Sequence, residues 1–292
     1  PMGDSFIAQA RRSAQAAAQL AADTPEPVRR DPLRALRNRW VLVAAMAALF
    51  LLATAAFAFG ELAQPAAAPR LAVNGVTRIH HALSGDARLR VLADGGNVQA
   101  RTIVALRYLR GEGVPQSDAA AARWARLAAS QGDAVAQYVL ATLYHQGSGV
   151  PQDSHAAFAW FQAAARQGNR KAMHDLAIAY AQGQGVAKNP QEAARWFARA
   201  ALLGYVDSQF DLAVLYERGE GVPQSLNDAY KWYAIAAAQG DAPSASRIEA
   251  LRTQLPPAIV TAEQREAGAF VPLKFDAGAN DVPDRIARTG AL

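Results

Sequence analysis

Residues 111–117 read Gly-Glu-Gly-Val-Pro-Gln-Ser, two glycines around one residue ahead of a helical pattern. That is how a phosphate-cradling loop begins, because backbone N–H groups at a helix N-terminus attract an anion. A phosphate loop also follows a strand, and no strand pattern precedes this one. The stretch then returns as Gly147-Ser-Gly149-Val150, Gly183-Gln-Gly185-Val186 and Gly219-Glu-Gly221-Val222, each 36 residues further on. A loop that recurs in one register is a building element rather than a nucleotide site. Other chemistry is equally thin. The absence of cysteine excludes disulfide frameworks, thiolate metal sites, iron–sulfur clusters and thiol nucleophiles. The five histidines are His80, His81, His145, His155 and His174. They form no His-Glu-x-x-His pair, and neighbours such as His80 and His81 point apart on a helix. No Gly-x-Ser-x-Gly occurs. A net charge of +5 over 292 residues is too small to suggest a nucleic-acid binder. No enzyme activity, cofactor or metal is expected.

The elements that carry the loops follow from the same period. Trp124, Trp160, Trp196 and Trp232 keep it, as do Tyr108, Tyr144, Tyr180 and Tyr216, and the glycines at 96, 132, 168, 204 and 240. A fixed period of this length marks a solenoid of stacked units. Each unit divides into two helices. In the second unit, Ala136, Leu140 and Tyr144 form one apolar face of helix A, over residues 133–146. Gly147 ends it, since glycine accepts the left-handed conformation past a helix end. Helix B starts after Ser117, Asp153, Asn189 or Ser225, all good N-cap residues in one column. Asn97, Asp133, Asn169 and Asp241 cap helix A, and Tyr205 breaks that pattern. Asn189 is followed by proline at the first helical position and by a capping-box-like Glu192. Paired alanines on helix B (128–129, 164–165, 200–201, 236–237) let neighbouring helices approach closely.

The pattern Ala-x-x-x-Leu-Tyr-x-x-Gly-x-Gly-Val-Pro-Gln-Asp, then Ala-x-x-Trp-Phe-x-x-Ala-Ala-x-Gln-Gly-Asn, resembles the Sel1-like repeat, a relative of the tetratricopeptide repeat. It covers about residues 97–240 in four full units, with half-units before and after. Ala187-Lys188 replaces Pro-Gln in the third unit. The resemblance implies an all-α fold, a Sel1-like helix-pair solenoid, whose concave face comes from helix A and binds protein partners. Mapped by register, that face holds the columns Thr102, Tyr138, His174, Phe210 and Gln99, Val135, Lys171, Asp207, with His145 and Glu217 in a third. The candidate partner-binding residues are therefore Tyr138, His145, Lys171, His174, Asp207 and Phe210. The three from the first column are expected to form an anchor patch, because aromatic side chains dominate binding hot spots.

Ahead of the repeats, residues 40–60 contain no charge. At 1.5 Å per residue such a helix spans a hydrocarbon core of roughly 30 Å, which takes about 20 residues. Residues 1–39 hold seven arginines against four acids, so the N-terminus is expected in the cytoplasm and the repeats outside. Ala66-Ala67-Ala68 has the small residues of a signal-cleavage site. The apolar run is longer than a signal peptide's core, and an uncleaved single-pass anchor is favoured. The expected organisation is a basic cytoplasmic tail over 1–39, a transmembrane helix over 40–61, a linker over 62–78, the solenoid over 79–253 and a largely flexible extension over 254–292.

An alanine- and arginine-rich segment, a proline/arginine stretch, one membrane helix and outer Sel1-like repeats together resemble the C-terminal half of the PodJ family of bacterial polar localisation factors. That resemblance implies a longer protein with a cytoplasmic coiled coil ahead of Pro1. It also implies an inner-membrane scaffold with periplasmic repeats that organises other proteins at a pole. Members can carry a peptidoglycan-binding region after the repeats, and the short polar tail here argues against direct cell-wall contact. The alternative is a periplasm-facing regulator of a sensor histidine kinase. A released enzyme is the third reading, and the residues offer nothing toward it.

Overall fold

The computed structural model describes residues 85–281. The expected tail, membrane helix and linker lie outside the described residues, as do His80 and His81. Among the described residues, no helix is long and apolar enough to cross a membrane. All regular structure there is helical. A leading helix α1 (Gly85–Asp94) precedes four A/B pairs: α2 (Val98–Arg110) with α3 (Asp118–Ala129), α4 (Ala134–Gln146) with α5 (Ser154–Arg166), α6 (Arg170–Gln182) with α7 (Pro190–Leu202), and α8 (Val206–Arg218) with α9 (Leu226–Ala238). Two further helices, α10 (Ala242–Arg252) and α11 (Pro257–Gly268), and one short turn of helix, α12 (Ala277–Asn280), follow. From α1 to α10 each helix packs on the next in sequence, whereas α11 packs back on α9 and α12 on α4.

The helix ends lie where the cap residues put them. Asp133 Oδ1 accepts from the Ala136 N–H at 2.7 Å, and Asn169 Oδ1 from the Ala172 N–H at 2.9 Å. Ser117, Asp153, Asn189 and Ser225 do the same for the B helices. Tyr205 makes no capping bond. Glu192 does not complete a box, since its carboxylate pairs with Arg195. At the other end of helix A, Gly147 sits at φ +72° and donates its N–H to Leu143 O, the left-handed closure that a Cβ would oppose.

The core is a set of columns. Leu140, Leu176 and Leu212 are at most 1 % exposed, and Phe161, Phe197 and Tyr233 fill the matching places on helix B. Burying each such side chain contributes about 1.5–3 kcal/mol. The alanine pairs of the B helices lie beneath them, nearly all fully buried. Glutamines stitch the layers together. Gln137 Nε2 donates to Ala129 O at 3.2 Å, and Gln209 Nε2 to Ala201 O at 3.1 Å, each supplying a partner to a carbonyl at the end of the preceding helix B. Gln167 and Gln239 then donate to the two side-chain oxygens at 2.7 Å.

The second glycine of the last three loops has a role that its position in a turn does not reveal. Gly149 (φ +70°) lies so close to the first turn of α3 that a Cβ would run into the Asp118 carbonyl and the Ala119 nitrogen. Gly185 meets Ser154 and Gly221 meets Pro190 in the same way. These loops are the seats on which the previous unit's helix B rests.

Residues 254–281 are not the loose extension expected of them. Leu255, Val260 and Phe270 pack against α9, whose apolar side would otherwise end the stack uncovered. Phe270 meets Trp232 edge to face at 5.7 Å, and Gln264 Nε2 donates to Tyr230 Oη at 3.0 Å. A terminal unit needs such a cover because it has no neighbour on that side. The short polar sequence concealed this, because few apolar residues suffice when the surface to cover is one helix wide.

Gly149→Val should destabilise the stack by roughly 3 kcal/mol or more, adding a backbone clash to the cost of a left-handed β-branched residue. Gly132→Ala, at φ +93° with nothing within 4 Å of the new carbon, should cost only about 1 kcal/mol. Thermal unfolding followed by circular dichroism compares the two. Equal midpoints would remove the inter-unit contact as the reason for the second glycine.

Candidate functional site

The A helices border a continuous groove. Its larger part, about 1260 Å³, lies along α2 and α4 and is bounded by Lys171 at the start of α6 and by α12. A second part of about 240 Å³ continues between α4 and α6. Tyr138, Thr142 and Gln146 line both and form the ridge between them. The floor of the larger part is apolar: Ile103, Leu106, Leu109, Val135, Val139 and Leu143. Its charges are mixed. Arg107 pairs with Asp86, Arg110 with Glu112 at 3.6 Å, and Lys171 and Asp281 stand at the far end. An apolar floor with balanced charges at its edges suits a segment of protein chain better than a polyanion.

The structure distributes the six candidate residues unevenly. Tyr138 and Lys171 line the groove, and exposed His145 lines its smaller part. Asp207 is half-buried. Phe210 is 1 % exposed and His174 6 %, so the anchor patch expected from Tyr138, His174 and Phe210 is not presented to solvent. Phe210 stacks edge to face on Tyr233 at 5.5 Å inside the core.

For His174 the cause is a pairing between successive units. The column Ile103, Val139, Asp175, Asp211 is apolar in the first two units and acidic in the next two. Each acid takes the aromatic residue of the unit before it. Tyr138 is hydrogen-bonded to Asp175, and His174 Nδ1 lies 3.6 Å from Asp211 Oδ2 and 3.1 Å from Ser208 Oγ. The His174 ring is also packed between Phe197 at 5.5 Å and Tyr205 at 5.2 Å. These side chains hold units together, and repeat register alone cannot separate a packing column from an open one.

Burial pushes the Asp175 carboxyl up to about 7, with Asp207 raising it further and Tyr138 and Lys171 opposing. Burial also pushes the Tyr138 hydroxyl up to about 12, and Tyr205 higher still, helped by Asp175 and Asp207. The junction of the second, third and fourth units is thus an acidic pocket of half-buried groups, in contrast to the apolar floor beside it. Asp175, Leu106, Thr142 and the arginines of α2 were not among the residues chosen from the sequence. Leu106 and Thr142 sit one helical turn beyond the first chosen column, and Asp175 one turn beyond Lys171, on the same faces of their helices.

Among the described residues, no group of three or more His, Cys, Asp or Glu is placed to hold a metal. The comparisons with known proteins agree with the architecture. The Sel1 repeat family matches residues 98–133, 134–169, 170–205 and 206–241, so each unit begins at a helix A and ends at the next cap. Among solved structures, the chain is similar to a protective antigen of uropathogenic Escherichia coli with an SLR fold, at 31% identity and a TM-score of 0.57. That match covers 62% of this chain and 40% of the antigen. A Sel1 repeat protein from Oxalobacter formigenes is 34% identical, with a TM-score of 0.53, over 57% of this chain and 50% of that one. The chain therefore spans half or less of the length of these two proteins. A comparison with curated proteins finds no match.

A native state that raises the Asp175 pKa from 3.8 holds its proton longer than the unfolded chain. Stability from this group is greatest below about pH 4 and falls as pH rises toward 7. Asp175→Asn should remove that slope and gain on the order of 1–3 kcal/mol over the parent at pH 8, with no gain at pH 4. Urea midpoints across this range test it, and parallel curves for the two proteins would refute the assignment.

Proposed function

We propose that this chain, which carries four Sel1 repeats over residues 98–241, is a membrane-anchored scaffold that binds a protein partner through the A-helix groove. The observation that carries this reading is the groove itself. It is apolar along its floor, edged by charges of both signs, and about 1260 Å³ in its larger part. A scaffold needs a specific surface to hold its partner, and an apolar floor with polar edges is such a surface. The uncharged run over 40–60 and the arginines before it support an anchor that places the repeats in the periplasm. The order of tail, anchor and outer repeats supports a role at a cell pole, in the manner of the PodJ family. Tethering to a membrane raises the effective concentration of the groove toward partners in the same compartment, so modest affinity is enough for recruitment.

A photo-reactive amino acid at Leu106, on the groove floor, should cross-link to one protein in living cells. The same probe at Leu127, which is 45 % exposed on helix B, should not. Adding Tyr138→Ala should reduce the Leu106 cross-link at least five-fold. Equal cross-linking from both positions would remove the groove as the binding surface. A fluorescent fusion at the cytoplasmic end, expressed at native level, should form a single focus at one pole. A uniform membrane signal would overturn polar organisation and favour the kinase-regulator alternative.

A further inference from the structure

After Phe270 the chain turns back along the stack. Leu273 donates its N–H to Leu202 O at 2.8 Å, and Pro272 lies against Gly204, at the turn from α7 to α8. Phe275 then sits beneath the Arg170 guanidinium, 3.8 Å from the ring centroid, while the same arginine donates to Leu203 O at 3.1 Å. One unit further back, the segment reaches the turn from α5 to α6. There Asn280 Nδ2 donates to Gly168 O at 3.1 Å and Asn280 Oδ1 accepts from the Arg170 N–H at 2.9 Å. Asn169 Nδ2 donates to Ala279 O at 2.6 Å. Nine residues of strap, from Pro272 to Asn280, thus span one 36-residue step, from Gly204 to Gly168.

Two features separate this from incidental packing. Asn169 is 2 % exposed and divides its amide between two tasks, its oxygen capping α6 and its nitrogen holding the strap. Asp133 and Asp241, in the same column, cap equally well and carry no donor. The strap is also lightly held elsewhere. Val271 is 80 % exposed and Leu273 57 %, and only Ala279 is buried. A segment held through main-chain groups, one asparagine and one aromatic ring, with Val271 and Leu273 in water, is built to be exchanged.

We propose that the row of B-to-A turns at 168–170 and 202–204 is a peptide-reading edge, and that residues 270–281 are its tethered occupant. The partner that displaces them carries an extended segment with an aromatic residue and, five residues on, an asparagine, the spacing of Phe275 and Asn280. Such a segment leads into the groove, because α12 forms one end of it. This extends the scaffold reading and rests on it only in taking the partner to be a protein.

A fluorescent synthetic peptide of residues 270–281 is titrated against the purified full chain and two variants. A short tether gives an effective concentration on the order of millimolar, so the parent should bind the free peptide poorly. Asn280→Ala frees the strap and leaves the turn intact, and should bind at least ten-fold more tightly. Asn169→Asp keeps the cap oxygen and replaces the donor, and should not bind, with its thermal midpoint close to the parent's. Hydrogen exchange at Gly278 and Ala279 should rise in both variants. No rise in exchange, no binding to Asn280→Ala, or equal binding to both variants would each overturn the proposal. Concentration-dependent dimers of Asn280→Ala that exclude the peptide would do so as well, by making a second copy the occupant. The Leu106 cross-link reports on the groove separately, so failure here leaves that reading to its own test.

Discussion

Everything in this stack depends on how closely a loop can approach the helix end of the unit before it. At Gly149, Gly185 and Gly221 the backbone of one unit touches the backbone of the last, with no room for a side chain between them. That contact fixes the distance between units, and with it the depth at which Leu140, Leu176 and Leu212 meet their neighbours. Side chains can repack by rotation when a core residue changes size. Two backbones in contact have no such freedom, because the planar peptide leaves only φ and ψ to adjust. The glycine therefore sets the geometry, and the apolar columns fill what it leaves.

With spacing fixed in that way, the columns that do not pack against the core can vary, and their variation gives the molecule its polarity along the stack. The column running from Ile103 to Asp211 changes from apolar to acidic halfway along. In the first two units it lines an open floor. In the last two its carboxylates engage Tyr138 at the groove's ridge and the buried His174. The larger part of the groove lies along the apolar half of this column, and Asp175 enters the lining where the smaller part begins. A buried carboxylate is costly unless hydrogen-bonded. The displacement of the Asp175 pKa shows that this cost is only partly offset.

Much of this was legible in the sequence. The cap residues, the glycine that closes each helix A, the A/B division and the exception at Tyr205 are local features, and local chemistry decides them. What escaped was decided between units. His174 and Phe210 share a column with Tyr138, and register predicts that they share its environment. They do not, because Asp211 of the following unit reaches His174, and Tyr233 on helix B of its own unit covers Phe210. The role of the second glycine escaped for the same reason, since a turn and a close backbone approach both call for glycine. Residues 254–281 escaped because their partners lie far back in the chain. Asn280 and Gly168 are 112 residues apart, and no periodicity connects them.

A solenoid has two ends and only one kind of interface, so each end exposes a surface that the interior repeats bury. At the C-terminal end α11 and Phe270 cover it, and the chain could stop there without leaving the core open. It continues instead for a run of mostly exposed residues along the row of turns and reaches a carbonyl and an amide that water could equally have satisfied. Ordering that run costs on the order of 1–2 kcal/mol per residue in backbone entropy, and main-chain bonds at a wet edge return about 0.5–1.5 kcal/mol each. The balance is close to even. Stability alone therefore does not account for the strap. Its near-balance is the condition under which another chain, offering the same main-chain bonds and a little more burial, could take its place.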